Sequence, residues 1–253
     1  MKPILPFLML YSLLGCGQSQ TPSESKSDSI DKVCEAFYQA NKGNELPSQS
    51  LGNTGKGQLI NGKLLPFKGK NFRYFDSRSY LAGRAYVHEK VKQSILESYA
   101  LLDSIIPLRF WTIMECSNKN GGYFFPHNTH QNGLSVDLMM PMLKVGKPYT
   151  GLDSMGIPHY WLAFDNDGKY TEDSSISIDF EVLARQILIL EAAAKNNGLH
   201  IAKVIIKIEL KDELFKGFYG RKLKSSGIYV VKALTPKIND SHDEHIHVDF
   251  ELR

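Results

Sequence analysis

Five of the eight histidines fall in two short stretches. One reads His127-Asn-Thr-His130-Gln-Asn-Gly133-Leu-Ser-Val-Asp137; the other, near the C-terminus, reads His242-Asp-Glu-His245-Ile-His247. Imidazole nitrogens together with one carboxylate form the donor set that suits a zinc ion with one coordination position left for water. Zinc lowers the pKa of such a water to roughly 7, which makes it a nucleophile near neutral pH. The chemistry this pattern points to is metal-assisted hydrolysis.

Two strands have to carry those side chains. Residues 134–140 read as a strand stopped by Pro141, and residues 245–252 as a final strand. Side chains two apart on a strand share a face. Ser135, Asp137 and Met139 therefore point one way, and Leu134, Val136 and Leu138 the other. Likewise His245, His247 and Asp249 oppose Ile246, Val248 and Phe250. Each strand then has an apolar face for a core and a polar face for a site. Gly133 gives the backbone freedom to turn between His130 and the strand, so the ring can fold back toward Asp137.

The remaining elements are mixed. Helical spacing runs through Ile30, Val33, Cys34, Phe37 and Tyr38, ending near Gly43, and again through Val87, Val91, Ile95 and Leu102 up to Pro107. Residues 180–197 give the strongest helix, with Gly198 as its C-cap. Residues 110–116 and 201–210 are rich in strand formers, whereas 48–69 and 148–169 read as loop. The expected architecture is α+β: one domain, residues 30–253, whose central antiparallel sheet carries the zinc site, flanked by helices and long loops. With no internal repeat and no second linker in the chain, one domain suffices.

A lone histidine is more often surface or satisfied core than ligand, and His88, His159 and His200 are read that way. An isolated His-x-His pair is weak as well. His-x-x-Gly-x-x-x-Asp joined to a distant His-x-His, with no competing cysteine cluster, is a stronger signal.

That joint pattern resembles the zinc peptidases that include lysostaphin-type and D-Ala-D-Ala peptidases and the hedgehog signalling domain. Within the group it resembles the penicillin-insensitive murein endopeptidases. Three stretches carry the likeness: Ser50-Leu51-Gly52-Asn53 through Gly62-Lys63-Leu64-Leu65-Pro66, the His127–Asp137 stretch, and His242 through Val248. It extends from around residue 48 to the C-terminus and is thin between the motifs. The resemblance implies that His130, Asp137 and His247 are the zinc ligands, and that His245 is the general base or transition-state stabiliser, with His242 beside it. It implies a second metal or a substrate contact at His127 and Asp167. The chain departs from the family pattern at Tyr170, where a histidine is usual, at Ser135, where an Asp is common, and at Asp249, where a basic residue is common. The first departure weakens a second metal site; the other two point to altered substrate preference.

Location is read from the N-terminus. Residues 1–15 are a weakly basic start and a short apolar run ending in Leu13-Leu14-Gly15-Cys16. The run is too short to span a bilayer and reads as a signal peptide; its end resembles the lipobox of bacterial lipoproteins, with Cys16 carrying the lipid. Residues 16–29 are polar and Gly/Ser/Thr/Pro-rich, a flexible linker. By analogy with lipoprotein sorting, Gly17 in place of an Asp directs the anchor to the outer membrane, facing the periplasm. The lipid is then the only membrane contact. Of three cysteines, lipidation uses one and leaves Cys34 and Cys116, an even pair in an oxidising compartment that can either form a disulfide or stay as buried thiols. The formal charge of +3 is small and mixed along the chain, without a basic stripe, so nucleic acid is not an expected partner.

Place and resemblance together imply a zinc-dependent endopeptidase of peptidoglycan, cutting D-alanyl–diaminopimelyl cross-links. A D,D- or L,D-carboxypeptidase and a non-catalytic zinc-binding wall lipoprotein are the alternatives.

Overall fold

Helix α1 (Lys26–Asn41) begins inside the stretch read as linker, with Asp28 in its first turn against the positive end of the helix dipole. It is the first element of a computed structural model that describes residues 26–253. The expected signal peptide, Cys16 and the linker up to residue 25 lie outside the described residues.

A hairpin of β1 (Gln49–Asn53) and β2 (Lys56–Ile60) follows, then β3 (Lys63–Leu64), β4 (Phe72–Tyr74), α2 (Ser77–Leu81), β5 (Tyr86–Val87) and α3 (Glu89–Ile105). Next come β6 (Trp111–Ile113), β7 (Ser135–Met139), β8 (Met142–Lys144), β9 (Lys147–Tyr149) and β10 (Ile176–Ile178). The chain closes with α4 (Phe180–Asn196), β11 (Leu199–Ile205), α5 (Lys211–Lys216), α6 (Phe218–Ser225), α7 (Pro236–Asp240) and β12 (His245–Leu252). The elements form one mixed α and β domain.

The central sheet has the order β11-β12-β7-β6-β4. Three of its four pairings are antiparallel, as expected, but β4 and β6 run parallel. Between them the chain travels through α2, β5 and α3, and a crossover of that length is what parallel pairing requires. Its local sequence has no signature of the direction in which β6 will dock.

Helix α4 shows how the sheet is backed. Leu183, Ile187, Leu190 and Ala194 form a buried stripe at helical spacing. Asp179 caps the start by accepting from the Val182 amide, and Gly198 ends the helix at φ 71°. The stripe packs against β11, and α4 also lies on α3 and α6. On the sheet, Val136 and Leu138 of β7 and Ile246, Val248 and Phe250 of β12 enter the same apolar core. Each such side chain stabilises the fold by about 1.5–3 kcal/mol on burial, which fixes the register and hence the opposite, polar face.

Cys34 and Cys116 are both buried, and both are free thiols. The disulfide reading is therefore not realised here. Cys34 is buried in the core with Asp31, Arg73 and Asp76 nearby, whereas Cys116 follows β6 with Glu115 and Asp137 nearby. Burial raises both thiols, Cys34 to about 11. Among the described residues no helix is long and apolar enough to cross a membrane.

Candidate metal centre

Strands β7 and β12 are direct neighbours, and their register sets His247 opposite Asp137, His245 opposite Met139, and Asp249 opposite Ser135. The two histidine stretches meet because of that pairing. The Asp137 carboxylate lies at the middle of the cluster. Its Oδ1 is 2.9 Å from His247 Nδ1 and 3.3 Å from His130 Nε2. Its Oδ2 is 3.6 Å from His127 Nδ1 and 3.9 Å from His245 Nε2. The rings of His130 and His247 are 4.8 Å apart, and those of His242 and His245 are also 4.8 Å apart.

His130 reaches this position through an unusual backbone. Its φ is 68°, in the left-handed region, and Gly133 follows at 75°. The left-handed state costs a non-glycine residue about 1 kcal/mol or more, so packing must hold it there. Phe124, fully buried, stacks on the His130 ring at 5.4 Å, and the Arg84 guanidinium lies over the Phe124 ring at 3.8 Å. At Gly133 a Cβ would come within 2.8 Å of the His88 amide nitrogen, so glycine is required for space as well as for φ.

The polar atoms at the centre are short of partners. His130 is fully buried, yet neither ring nitrogen has a hydrogen-bond partner, and the Asp137 Oδ2 atom is equally orphaned. Buried polar groups are almost always satisfied, and an unsatisfied one costs about 1–3 kcal/mol. A divalent cation would give one His130 nitrogen and the Asp137 Oδ2 atom a partner at once, and imidazole nitrogen with carboxylate oxygen is a donor set zinc accepts. His127, His130 and Asp137 each bring a donor atom within 4.8 Å of the others. His247, through Nδ1, reaches the same carboxylate from the other side.

Burial governs the titration of the surrounding rings. It lowers His127 and His242 to about 3 and His245 to about 4, against the opposing pull of Asp137. These imidazoles are neutral at pH 7, able to ligate or to accept a proton. For His247 burial also lowers the value, but the carboxylates of Asp249 and Asp137 outweigh it and hold the ring up at about 10. Asp137 is desolvated, which raises it, yet the surrounding histidines keep it well below the usual carboxylate range.

Several residues here had no sequence signal. Glu244, fully buried, places Oε1 2.6 Å from His245 Nδ1; burial pushes its carboxyl well up, just as it pushes His245 down. Tyr160 sets its ring edge-on to His245 at 5.2 Å, and its buried hydroxyl has no partner. Phe124 is the third. Only Glu244, adjacent to His245, could have been suspected from proximity in the chain.

Part of the cluster lines a groove of about 650 Å³, with His130 and Asp137 fully buried. His127, His242, His245 and His247 all line it. Trp161 and Phe125, 76% and 70% exposed, give it an apolar lip. Arg78, Arg84 and Lys237 stand on its walls as cations. The expected loop 148–169 thus supplies Tyr160 and Trp161 from a short 3-10 helix, Ile157–Trp161.

Asp167 is not part of this assembly. Its side chain is 71% exposed on a turn and faces Lys169 at 4.0 Å. The Asp165 carboxylate accepts from the amides of Asp167 and Lys169, and that tight turn keeps the segment on the surface. Tyr170 instead donates to Glu172. His88 caps α3, His159 is buried on backbone carbonyls, and His200 pairs with Glu251, all structural as expected.

No protein-family model matches this chain, and no curated protein matches it either.

Proposed function

We propose that this protein is a zinc-dependent endopeptidase of peptidoglycan, similar to the penicillin-insensitive murein endopeptidases. The observation that carries the reading is the buried His130, Asp137 and His247 constellation, with orphaned polar atoms, whose His247 lines an open groove. A bound divalent cation supplies Lewis acidity to water and to the scissile carbonyl.

The chain's own residues supply the proton transfers. With Nδ1–H donated to Glu244, His245 keeps Nε2 bare, on the Asp137 side of the groove floor. It takes a proton from the attacking water and returns it to the leaving amine. Ile238 can only accept through its carbonyl, so His242 carries its proton on Nδ1, 2.6 Å away, and offers Nε2 to the groove. After protonation either ring can donate to the oxyanion. The aromatic lip and the wall cations suit a chain with apolar surface and free carboxylates, such as a cross-linked stem peptide. Export, the lipid anchor at Cys16 and an outer-membrane, periplasmic location belong to the same proposal.

Incubating the protein and zinc with purified sacculi, followed by mass spectrometry of the soluble products, tests it. Monomeric muropeptides released from cross-linked dimers support an endopeptidase. Loss of a terminal residue from monomers selects a carboxypeptidase, and unaltered sacculi with zinc bound select a wall-binding protein.

A further inference from the structure

We propose that Asp249 is a positioning residue that sets which nitrogen of His247 faces the cation. The idea rests on the metal-centre reading and deepens it. Asp249 lies on the same face of β12 as His247 and is 4% exposed. Its Oδ1 is 2.8 Å from His247 Nε2. A carboxylate can only accept, so Nε2 carries the hydrogen. Nδ1 faces a second carboxylate, Asp137, at 2.9 Å, so without a cation it too carries hydrogen. A cation held between Asp137 and His247 would displace that hydrogen, while Asp249 keeps the one on Nε2 and leaves Nδ1 as the ligand atom. The ligand atom is thereby selected by a partner on the far side of the ring.

Asp249 is itself locked. A carboxylate has about four acceptor positions, and each is used. Oδ1 also receives the Ser135 hydroxyl at 2.5 Å. Oδ2 receives the Thr54 hydroxyl at 3.2 Å and lies 2.9 Å from Lys203 Nζ. Ser135 and Lys203 are the direct register partners of Asp249 on the two flanking strands, and Thr54 comes from the β1–β2 turn. Three other segments of chain therefore fix one carboxylate, and that carboxylate fixes one imidazole. The two departures at Ser135 and Asp249 form a matched pair beneath the ligand, which makes them part of the metal centre rather than determinants of substrate.

The experiment uses the full chain, loaded with zinc, and two readouts other than activity. Long-range nitrogen–proton NMR of the imidazoles reports the His247 tautomer directly in the unaltered protein. The expected result is Nε2 protonated and Nδ1 bare; the reverse tautomer overturns the proposal without need of a variant. Zinc affinity, measured by competition with a chromophoric chelator, should fall about 10–100-fold in Asp249→Asn. Ser135→Ala, which leaves every histidine and the charge in place, should fall by a smaller factor, about threefold, on the same scale. Unchanged affinity in both variants overturns the positioning role while leaving the metal centre standing. Failure of the unaltered protein to bind zinc at all removes both, and the two failures are told apart by that control.

Discussion

Zinc should stabilise this fold, and the size of the effect can be estimated. The centre holds three buried polar atoms with no partner among the described residues: both ring nitrogens of His130 and Oδ2 of Asp137. Each unsatisfied group costs about 1–3 kcal/mol, and a cation can relieve two of them, one His130 nitrogen and Asp137 Oδ2. Mass action sets the observable gain. At a free zinc concentration of about one hundred times Kd, the folded state gains about 2.7 kcal/mol. For a chain of this size a kilocalorie moves the melting temperature by about 2–4 °C, so the shift should be about 5–10 °C. Differential scanning fluorimetry after EDTA treatment, with and without added zinc, measures it. Asp137→Asn, which removes the central charge, should abolish most of the shift. Equal melting temperatures with and without zinc, together with no zinc retained through gel filtration, would refute the reasoning.

Three further outcomes are expected. His245→Ala should lower turnover of cross-linked muropeptides by about 10²–10⁴-fold while zinc is still retained; undiminished turnover removes His245 from the proton transfers. Tyr160→Phe deletes a buried hydroxyl with no partner, so urea unfolding should show stability unchanged or raised by about 1 kcal/mol; a loss above that would mean the hydroxyl is in fact bonded. His159, buried outside the donor set, is held down at about 4 by desolvation, against 6.5 for an ordinary histidine. Its folded value is the lower one, so its contribution is intact above pH 6.5 and is lost as pH falls toward 4, about 3 kcal/mol in all. His159→Gln cannot show that loss, and parallel stability–pH profiles for the two proteins would contradict the assignment.

The local patterns were legible because they depend on neighbours in the chain. Alternation of polar and apolar residues across 134–140 and 245–252 announces β7 and β12, and the Leu183, Ile187, Leu190 stripe announces α4. Spacing also separated the five clustered histidines from His88, His159 and His200, which turn out to be structural. Asp167 lies apart from the histidine cluster, and in the sequence an acidic residue in a tight surface turn has the same letters as one in a site. The parallel pairing of β4 with β6 was missed because it is set by a long crossover.

Residue types and their periodicity alone marked the candidate donor residues and the strand faces of Asp137, His245 and His247. Only the tertiary structure decided who meets whom. The β7–β12 register joins His247 to Asp137 and Asp249 to Ser135, partners more than a hundred residues apart. It also brings Phe124, Glu244 and Tyr160 against the imidazoles. Burial then sets the titration of those rings. Adjacency across that distance comes from packing the apolar faces of two strands into one core, and desolvation exists only once that core has closed.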